Sequence, residues 1–329
     1  MVLKNTHCST DAASTSPLLY RKSPIPVAVI LGPTAVGKSA VAFRIAQEMG
    51  WDILSCDSRQ IYRLMDIGTA KPSWEERKCV RHWMIDILNP SEEYSAGRFA
   101  REAESIIRNE AVNGKPLILC GGTGLYFRAL SEGYNDRPQS DPAIRDKLMR
   151  RSQKDGVEAL YKELMVVDPF SAQGIHKNDL QRIVRALALF HQTGKPPSLF
   201  STQLKPPAGI RFIVVKMTMP RSELYERINR RVQNMIDEGL WDEFLQLRSA
   251  SFGRFDPGMQ TVGYKELFSV ENGENSLETA IAQIQQNTRR YAKRQFTWFN
   301  NQVKGTTFNA STDWKVIRDF FLQEGIGFE

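Results

Sequence analysis

Residues Gly32-Pro33-Thr34-Ala35-Val36-Gly37-Lys38-Ser39 follow an apolar, β-branched run, Ile25 to Leu31, and lead into an amphipathic run, Ala40 to Met49. That order reads as strand, glycine loop and helix, with the spacing G-x-x-x-x-G-K-[ST] in the connection. The glycines let backbone N–H groups curl around phosphate oxygens, and the helix N-terminus adds partial positive charge. Lys38 has the reach for an outer phosphate, and the Ser39 hydroxyl is of the kind that ligates magnesium. An ordinary glycine turn is the plainer alternative, and the strand–loop–helix context argues against it. The chain is expected to bind a phosphorylated ligand through residues 32–39.

Working outward, Trp51 to Cys56 reads as a second strand and is followed by Asp57-Ser58-Arg59-Gln60. His82 to Leu88 suggests a third strand. Ser95 to Asn113 has helical periodicity stopped by Gly114, and Pro116 to Cys120 is a strand running into Gly121-Gly122-Thr123-Gly124. Strand–helix alternation with short joints predicts an α/β fold, a doubly wound parallel sheet around the phosphate loop. Such sheets bind ligands beyond the carboxyl ends of their strands, so the loop, Asp57 and Thr123 are expected in one cleft.

The character changes near Gly133. Asp141 to Gln153, Val157 to Val166 and Asn178 to Gln192 read as helices, the last capped by Asn178 or Asp179. After Pro-rich breaks, Ile210 to Met217 resumes as a strand and Ser222 to Asp237 as a helix. Ala280 to Asn300 is helical and polar, and the C-terminal stretch carries few signals. The expected organisation is a tail over 1–23, a first core part over 24–132, an inserted helical subdomain over 133–206, and a second core part over 207–329. The tail is Ser/Thr-rich and lacks an apolar h-region, so disorder is expected there rather than a secretory signal.

Composition narrows the class. At 329 residues, 41% hydrophobic and 25% charged, the chain fits a soluble globular protein. No apolar run approaches the ~20 residues that cross a bilayer. Cys8, Cys56, Cys79 and Cys120 lack metal-site spacing, which fits a reducing compartment, and Cys56 and Cys120 are expected in the core. The net charge is +7, and residues 133–206 hold 12 Lys and Arg against 8 Asp and Glu. A basic balance of this size is compatible with nucleic acid without requiring it.

Several residues are candidates for chemistry. Asp57, at the tip of the second strand, is placed to take a proton from an attacking amine or hydroxyl, or else simply caps a helical turn. Thr123 approaches a substrate or merely sits in a glycine turn. Arg227, Arg230 and Arg231 share a helix face, as do Arg289, Arg290, Lys293 and Arg294 beside Phe296, Trp298 and Phe299. Solvated faces and core aromatics are the alternatives to phosphate contact with base stacking. The strand ending at Cys120 runs into Gly-Gly-Thr and lacks the Asp with which many ATPases position magnesium.

The blocks GPTAVGKS (32–39), CDSRQIY (56–62), MDIGTAKP (65–72), GGTGLYF (121–127), NDLQRIVRAL (178–187), TVGYKEL (261–267) and YAKRQFTWF (291–299) occur in order. Together they resemble the bacterial tRNA dimethylallyltransferases, over most of the chain. The resemblance implies that Gly32, Pro33, Thr34, Ala35, Val36, Gly37, Lys38 and Ser39 hold dimethylallyl diphosphate with Mg2+, and that the C5 group passes to N6 of adenine 37 of tRNA. It implies Asp57 as the base, with Thr123 and Arg231 near the reacting diphosphate and adenine. It further implies tRNA contacts at Asp57, Ser58, Arg59, Gln60 and Thr123, at Arg145, and at Gln181, Arg182, Ile183, Val184 and Arg185. Gln260, Thr261, Val262, Gly263, Tyr264 and Lys265, with Lys293 and Arg294, complete that set. Lys177 and Ala188 depart from the family's pattern. A cytoplasmic monomer without membrane attachment is expected. Rival readings are an adenylate isopentenyltransferase, a P-loop kinase and a non-catalytic RNA-binding switch.

Overall fold

The computed structural model describes residues 23–134, 140–200 and 204–327. All but the last residue of the expected N-terminal tail, including Cys8, lies outside them. In chain order the first part comprises β1 (Ile25–Leu31), α1 (Lys38–Met49), β2 (Asp52–Cys56), α2 (Trp74–Cys79), β3 (His82–Trp83), α3 (Ala96–Val112), β4 (Leu117–Gly121) and α4 (Gly124–Glu132). Four helices follow: α5 (Pro142–Asp155), α6 (Val157–Val167), α7 (Pro169–Gln173) and α8 (Leu180–Thr193). The chain then runs through β5 (Ile210–Thr218), α9 (Arg221–Asp237), α10 (Leu240–Ser249), α11 (Tyr264–Glu271), α12 (Leu277–Gln302), β6 (Thr306–Asn309) and α13 (Trp314–Gln323).

The six strands form one parallel sheet in the order β3-β2-β4-β1-β5-β6. The period-2 alternation of strand side chains splits β1 between two cores. Val27, Val29 and Leu31 pack with Leu117, Leu119 and the α3 residues Phe99, Ala103 and Ile107. Ala28 and Ile30 point the other way, onto Ile118, Val215 and the α1 residues Ala42 and Ile45. Helices therefore cover both faces, which is why these strands read as continuous apolar runs. Cys56 and Cys120 are both buried, as expected.

One expectation needs correction. The third strand extends only over His82–Trp83, and beyond it Leu88 makes an isolated bridge to Tyr62. Met84 and Asp86 adopt positive φ, which breaks the extended path between those points. The C-terminal stretch, which carries few signals in the sequence, adds one strand and one helix. β6 extends the sheet against β5, and α13 packs Ile317 and Phe321 into the core on the α1 side.

Helices α5, α6, α7 and α8 close on a core of their own, built from Leu148, Leu160, Leu164, Ala172, Ile183 and Leu187. The α8 start is capped by Asp179, whose side chain accepts from the Arg182 amide. A fourth cluster joins the segment after β2 to α10, α11 and α12 through Ile61, Met65, Phe244, Tyr264 and Leu267.

One carboxylate fastens that last cluster. Glu243 on α10 accepts from the amides of Asp66, Ile67 and Gly68 at 2.7, 2.8 and 3.1 Å, and from the Tyr264 hydroxyl at 2.6 Å. Tyr264 is fully buried, and burial beside Glu243 raises its pKa well above the ordinary value. Removing the carboxylate strands several donors at once, each worth ~1–3 kcal/mol. Glu243→Ala is expected to lower the unfolding free energy by ~2–4 kcal/mol, and Glu243→Gln by less, because the amide oxygen still accepts. Urea titration of both variants checks this, and equal losses would show that a neutral acceptor recovers none of the carboxylate's contribution.

Candidate active site

The phosphate loop leaves β1 at Gly32 and enters α1 at Lys38. Its turn requires left-handed backbone at Gly37, with φ 100°, and places Ala35 there too, at φ 65°. Glycine takes that conformation freely, whereas Ala35 stores strain in the loop itself. Lys38 is buried, and its Nζ donates to the Pro33 carbonyl at 3.3 Å.

Arg231 comes from α9 on the opposite wall, where its Nη1 donates to the Thr34 hydroxyl at 3.5 Å. Between these walls lies a cavity of about 310 Å³. Ala35, Gly37, Lys38, Ser39 and Ala40 line one side, and Arg227, Arg230, Arg231 and Asn234 the other. Their i, i+3, i+4 spacing left open whether the three arginines formed a solvated face. The fold turns that face onto the loop. Asn234, one turn further along, had no signal of its own in the sequence.

Burial pushes the Lys38 and Arg231 pKa values down, while the Asp57 carboxylate pulls both back up. Two desolvated cations facing a cavity favour an anionic occupant, because an anion restores the Coulombic stabilisation that water would have provided.

Asp57 sits just beyond β2, half-buried. One carboxylate oxygen accepts from the Arg59 amide at 2.8 Å, an Asx turn that fixes its direction. Among the described residues the other oxygen makes no hydrogen bond, so it is free to accept a proton. The helix-cap alternative is thus partly right about geometry: the carboxylate stabilises a turn, with no helix following. Thr123 is tied to the same place. Its hydroxyl accepts from the Ser58 amide at 3.0 Å and donates to the Ser58 hydroxyl at 3.3 Å. Strand ends β2 and β4 are locked side by side, since a Cβ on Gly121 would lie 2.0 Å from the Cys56 carbonyl oxygen.

Neighbouring side chains complete this wall. Gln60 accepts from Ser55 Oγ at 3.0 Å and donates to the Ala70 carbonyl at 3.0 Å, while Arg59 reaches the Pro257 carbonyl at 3.0 Å. Tyr291 on α12 has its pKa pushed up to about 12 by burial and by the Asp57 charge. Asp57, Ser58, Thr123, Lys38 and Arg231 therefore share one cleft.

The other predicted residues fall elsewhere. Gln181, Arg182 and Arg185 lie on the exposed face of α8, whereas Ile183 and Val184 point into its core and have no surface to offer. Arg145 on α5 pairs with Glu93. Gln260 is exposed and Val262 and Lys265 are half-exposed, but Thr261, Gly263 and Tyr264 are buried. Lys293 and Arg294 are exposed on α12, and with Arg128, Arg290 and Trp298 they border a second cavity of about 600 Å³. Arg128 was missed because it stands alone among apolar α4 residues in the sequence.

Comparison with known proteins identifies the family. Residues 60–302 match the model of the family described as IPP transferase. The tRNA dimethylallyltransferase of Carboxydothermus hydrogenoformans is 42% identical over 304 residues, covering 91% of this chain and 97% of that protein. That of Halothermothrix orenii is 41% identical, covering 89% and 93%. The full-length tRNA isopentenylpyrophosphate transferase of Bacillus halodurans superposes with a TM-score of 0.66 at 37% identity, covering 91% and 96%. A eukaryotic dimethylallyltransferase acting on tRNA gives 0.72 at 28% identity, covering 92% of this chain and 77% of that one. With the family model spanning most of the chain and relatives of this similarity along nearly its whole length, the chain belongs to the IPP transferase family.

Proposed function

We propose that this protein transfers the dimethylallyl group of dimethylallyl diphosphate to N6 of adenine 37, beside the tRNA anticodon, and releases diphosphate. The observation that carries the reading is the pairing of Asp57, with one carboxylate oxygen uncommitted, and a cavity at the phosphate loop walled by Lys38, Arg227, Arg230 and Arg231. The names of the relatives support tRNA as the acceptor.

The N6 lone pair is delocalised into the purine ring, so the amine is a weak nucleophile. As N6 attacks C1, the C1–O bond breaks and diphosphate leaves with its electron pair, while Asp57 accepts the N6 proton. A base so placed contributes ~10²–10⁴-fold. Lys38, the loop amides and Arg231 stabilise the charge that grows on the departing oxygen, and preorganised charge of this kind is usually the largest catalytic contribution. Thr123, fixed by Ser58, lines the boundary between the two halves.

Ser39 offers one hydroxyl at the cavity, and among the described residues no group of three His, Cys, Asp or Glu side chains could hold a metal ion. That donor set fits magnesium, which takes few protein ligands and fills its shell with phosphate oxygens and water. When bound, magnesium supplies charge neutralisation to the diphosphate.

Adenine 37 is stacked in the anticodon loop and must be extruded to reach Asp57. Arg182 and Arg185 on α8, with Lys293 and Arg294 on α12, are the proposed contacts to the RNA backbone. No helix among the described residues is long and apolar enough to cross a membrane. We place the activity in the cytoplasm, carried by a monomer.

Labelled dimethylallyl diphosphate offered with tRNA, with AMP, or with neither tests the assignment. Label in tRNA is expected. Label in AMP alone would instead identify an adenylate isopentenyltransferase, and ATP turnover without prenyl transfer a kinase. Asp57→Asn should bind tRNA normally and lose kcat by ~10²-fold or more; a kcat near wild type removes Asp57 as the base. Lys38→Ala is expected to raise the donor KM and slow transfer, and unchanged kinetics would assign the loop to another ligand. Reversing the charge at Arg182 and Arg185 together should reduce the slope of log affinity against log salt for tRNA by about 1–2. An unaltered slope places the α8 face away from the RNA.

A further inference from the structure

Gln295 belongs to neither wall of the cleft, yet it joins them. It projects from the middle of α12, nearly buried at 7% exposure. Its Oε1 accepts from the Thr34 amide in the phosphate loop at 2.8 Å. Its Nε2 donates to the Gly122 carbonyl, next to Thr123, at 2.7 Å. One partner can only donate and the other can only accept, so the amide has a single orientation. The fit is close. A Cβ on Gly122 would lie 2.4 Å from Nε2, so the glycine leaves the space that the amide fills.

The two backbone groups so joined lie in different halves of the proposed reaction. Thr34 carries the loop that holds the leaving diphosphate, and it is gripped from its other side by Arg231. Gly122 carries Thr123 and, through Ser58, the turn that aims Asp57. The same helix also reaches α9, where Gln285 donates to the Asn229 carbonyl at 3.4 Å and Arg289 to the Asn229 side chain. Asn229 is two residues from Arg231. The amide accepts and donates through one rigid plane, whereas a carboxylate would face the Gly122 carbonyl with like charge.

We infer that Gln295 is a positioning residue for prenyl transfer, setting the distance between the leaving group and the base; the inference rests on the function proposed above. Both polar atoms of its side chain are committed to backbone groups. Its effect runs through the relative placement of loop and strand end, where displacements of about 1 Å can cost ~10²-fold in rate.

Three variants test this. Gln295→Met keeps the volume and loses both bonds, Gln295→Asn keeps the amide but is too short to span both partners, and Gly122→Ala pushes the intact amide aside. Each is assayed for tRNA prenylation, for melting temperature and for inorganic diphosphate binding by calorimetry. The expected result is a kcat reduced ~10–100-fold in all three, with the tRNA KM within about 3-fold of wild type and diphosphate bound at least about 5-fold more weakly. Folded variants that melt lower but retain wild-type kcat and diphosphate affinity would overturn the inference, leaving Gln295 as structural glue. A wild-type protein that prenylates no tRNA would instead overturn the underlying reading, and diphosphate affinity alone would then decide whether Gln295 sets the loop.

Discussion

Parallel register gathers the cleft. Leu31 of β1 is level with Gly121 of β4, which is level with Cys56 of β2, and Leu31 is also level with Lys216 of β5. All of these strands run the same way, so the next residues along them are Gly32, Gly122 and Asp57. The phosphate loop, the Thr123 turn and the carboxylate are therefore neighbours because of backbone hydrogen bonding, before any side chain is considered. Shifting one strand by a residue would exchange its two buried faces, and the two apolar cores forbid that. The hydrophobic pattern thus fixes the chemistry's geometry indirectly, through register.

What register cannot supply is the opposite wall. Arg231 and its neighbours stand on α9, beyond β5, and the sheet alone leaves α9 free to pivot. Helix α12, 26 residues long, closes the arrangement. It packs Ala292 into one sheet-face core and Phe299 into the other, and it contributes Ala280 and Ile284 to the α10–α11 cluster. One rigid rod thereby reaches three of the four apolar cores. Desolvating Lys38 and Arg231 costs free energy, and part of the gain from these cores offsets it.

The elements that the sequence revealed are those whose signal is local. The phosphate loop, the strands around it and the helices 96–112, 142–155, 180–193 and 277–302 each carry periodicity or caps within their own span. β6 escaped because four mostly exposed residues, Thr306–Asn309, acquire strand character only by pairing with β5. The α2 start escaped although its capping box was present, with Ser73 and Glu76 bonded reciprocally. Within the cleft, Asp57 and Thr123 were visible as strand-end residues. Glu243 and Gln295 were not, since each acts on backbone groups more than 170 positions away and neither residue type marks such a role. Side chains that serve distant backbone leave no periodic trace. Ile183 and Val184 show the converse failure: they sit inside a block whose polar members are exposed, and the block as a whole was read without regard to which way each residue faces.

A phosphate loop by itself suggests ATP, and the charge distribution here argues for a different use. In the proposed reaction negative charge develops on one fragment only, the departing diphosphate, while the acceptor sheds a proton. The cleft mirrors that flow. Its cations, Lys38, Arg227, Arg230 and Arg231, line the cavity at the loop, whereas the carboxylate with an uncommitted oxygen stands across from them at the end of β2. A phosphoryl-transfer site must stabilise charge on the group being moved, which asks for cations around the transferred phosphorus and an acidic residue to hold magnesium beside it. Gly122 and Thr123 occupy the strand end where that acid commonly stands, and they are bonded to the acceptor-side turn and to Gln295. In the proposed reaction the loop thus retains diphosphate while an allyl carbon departs from it.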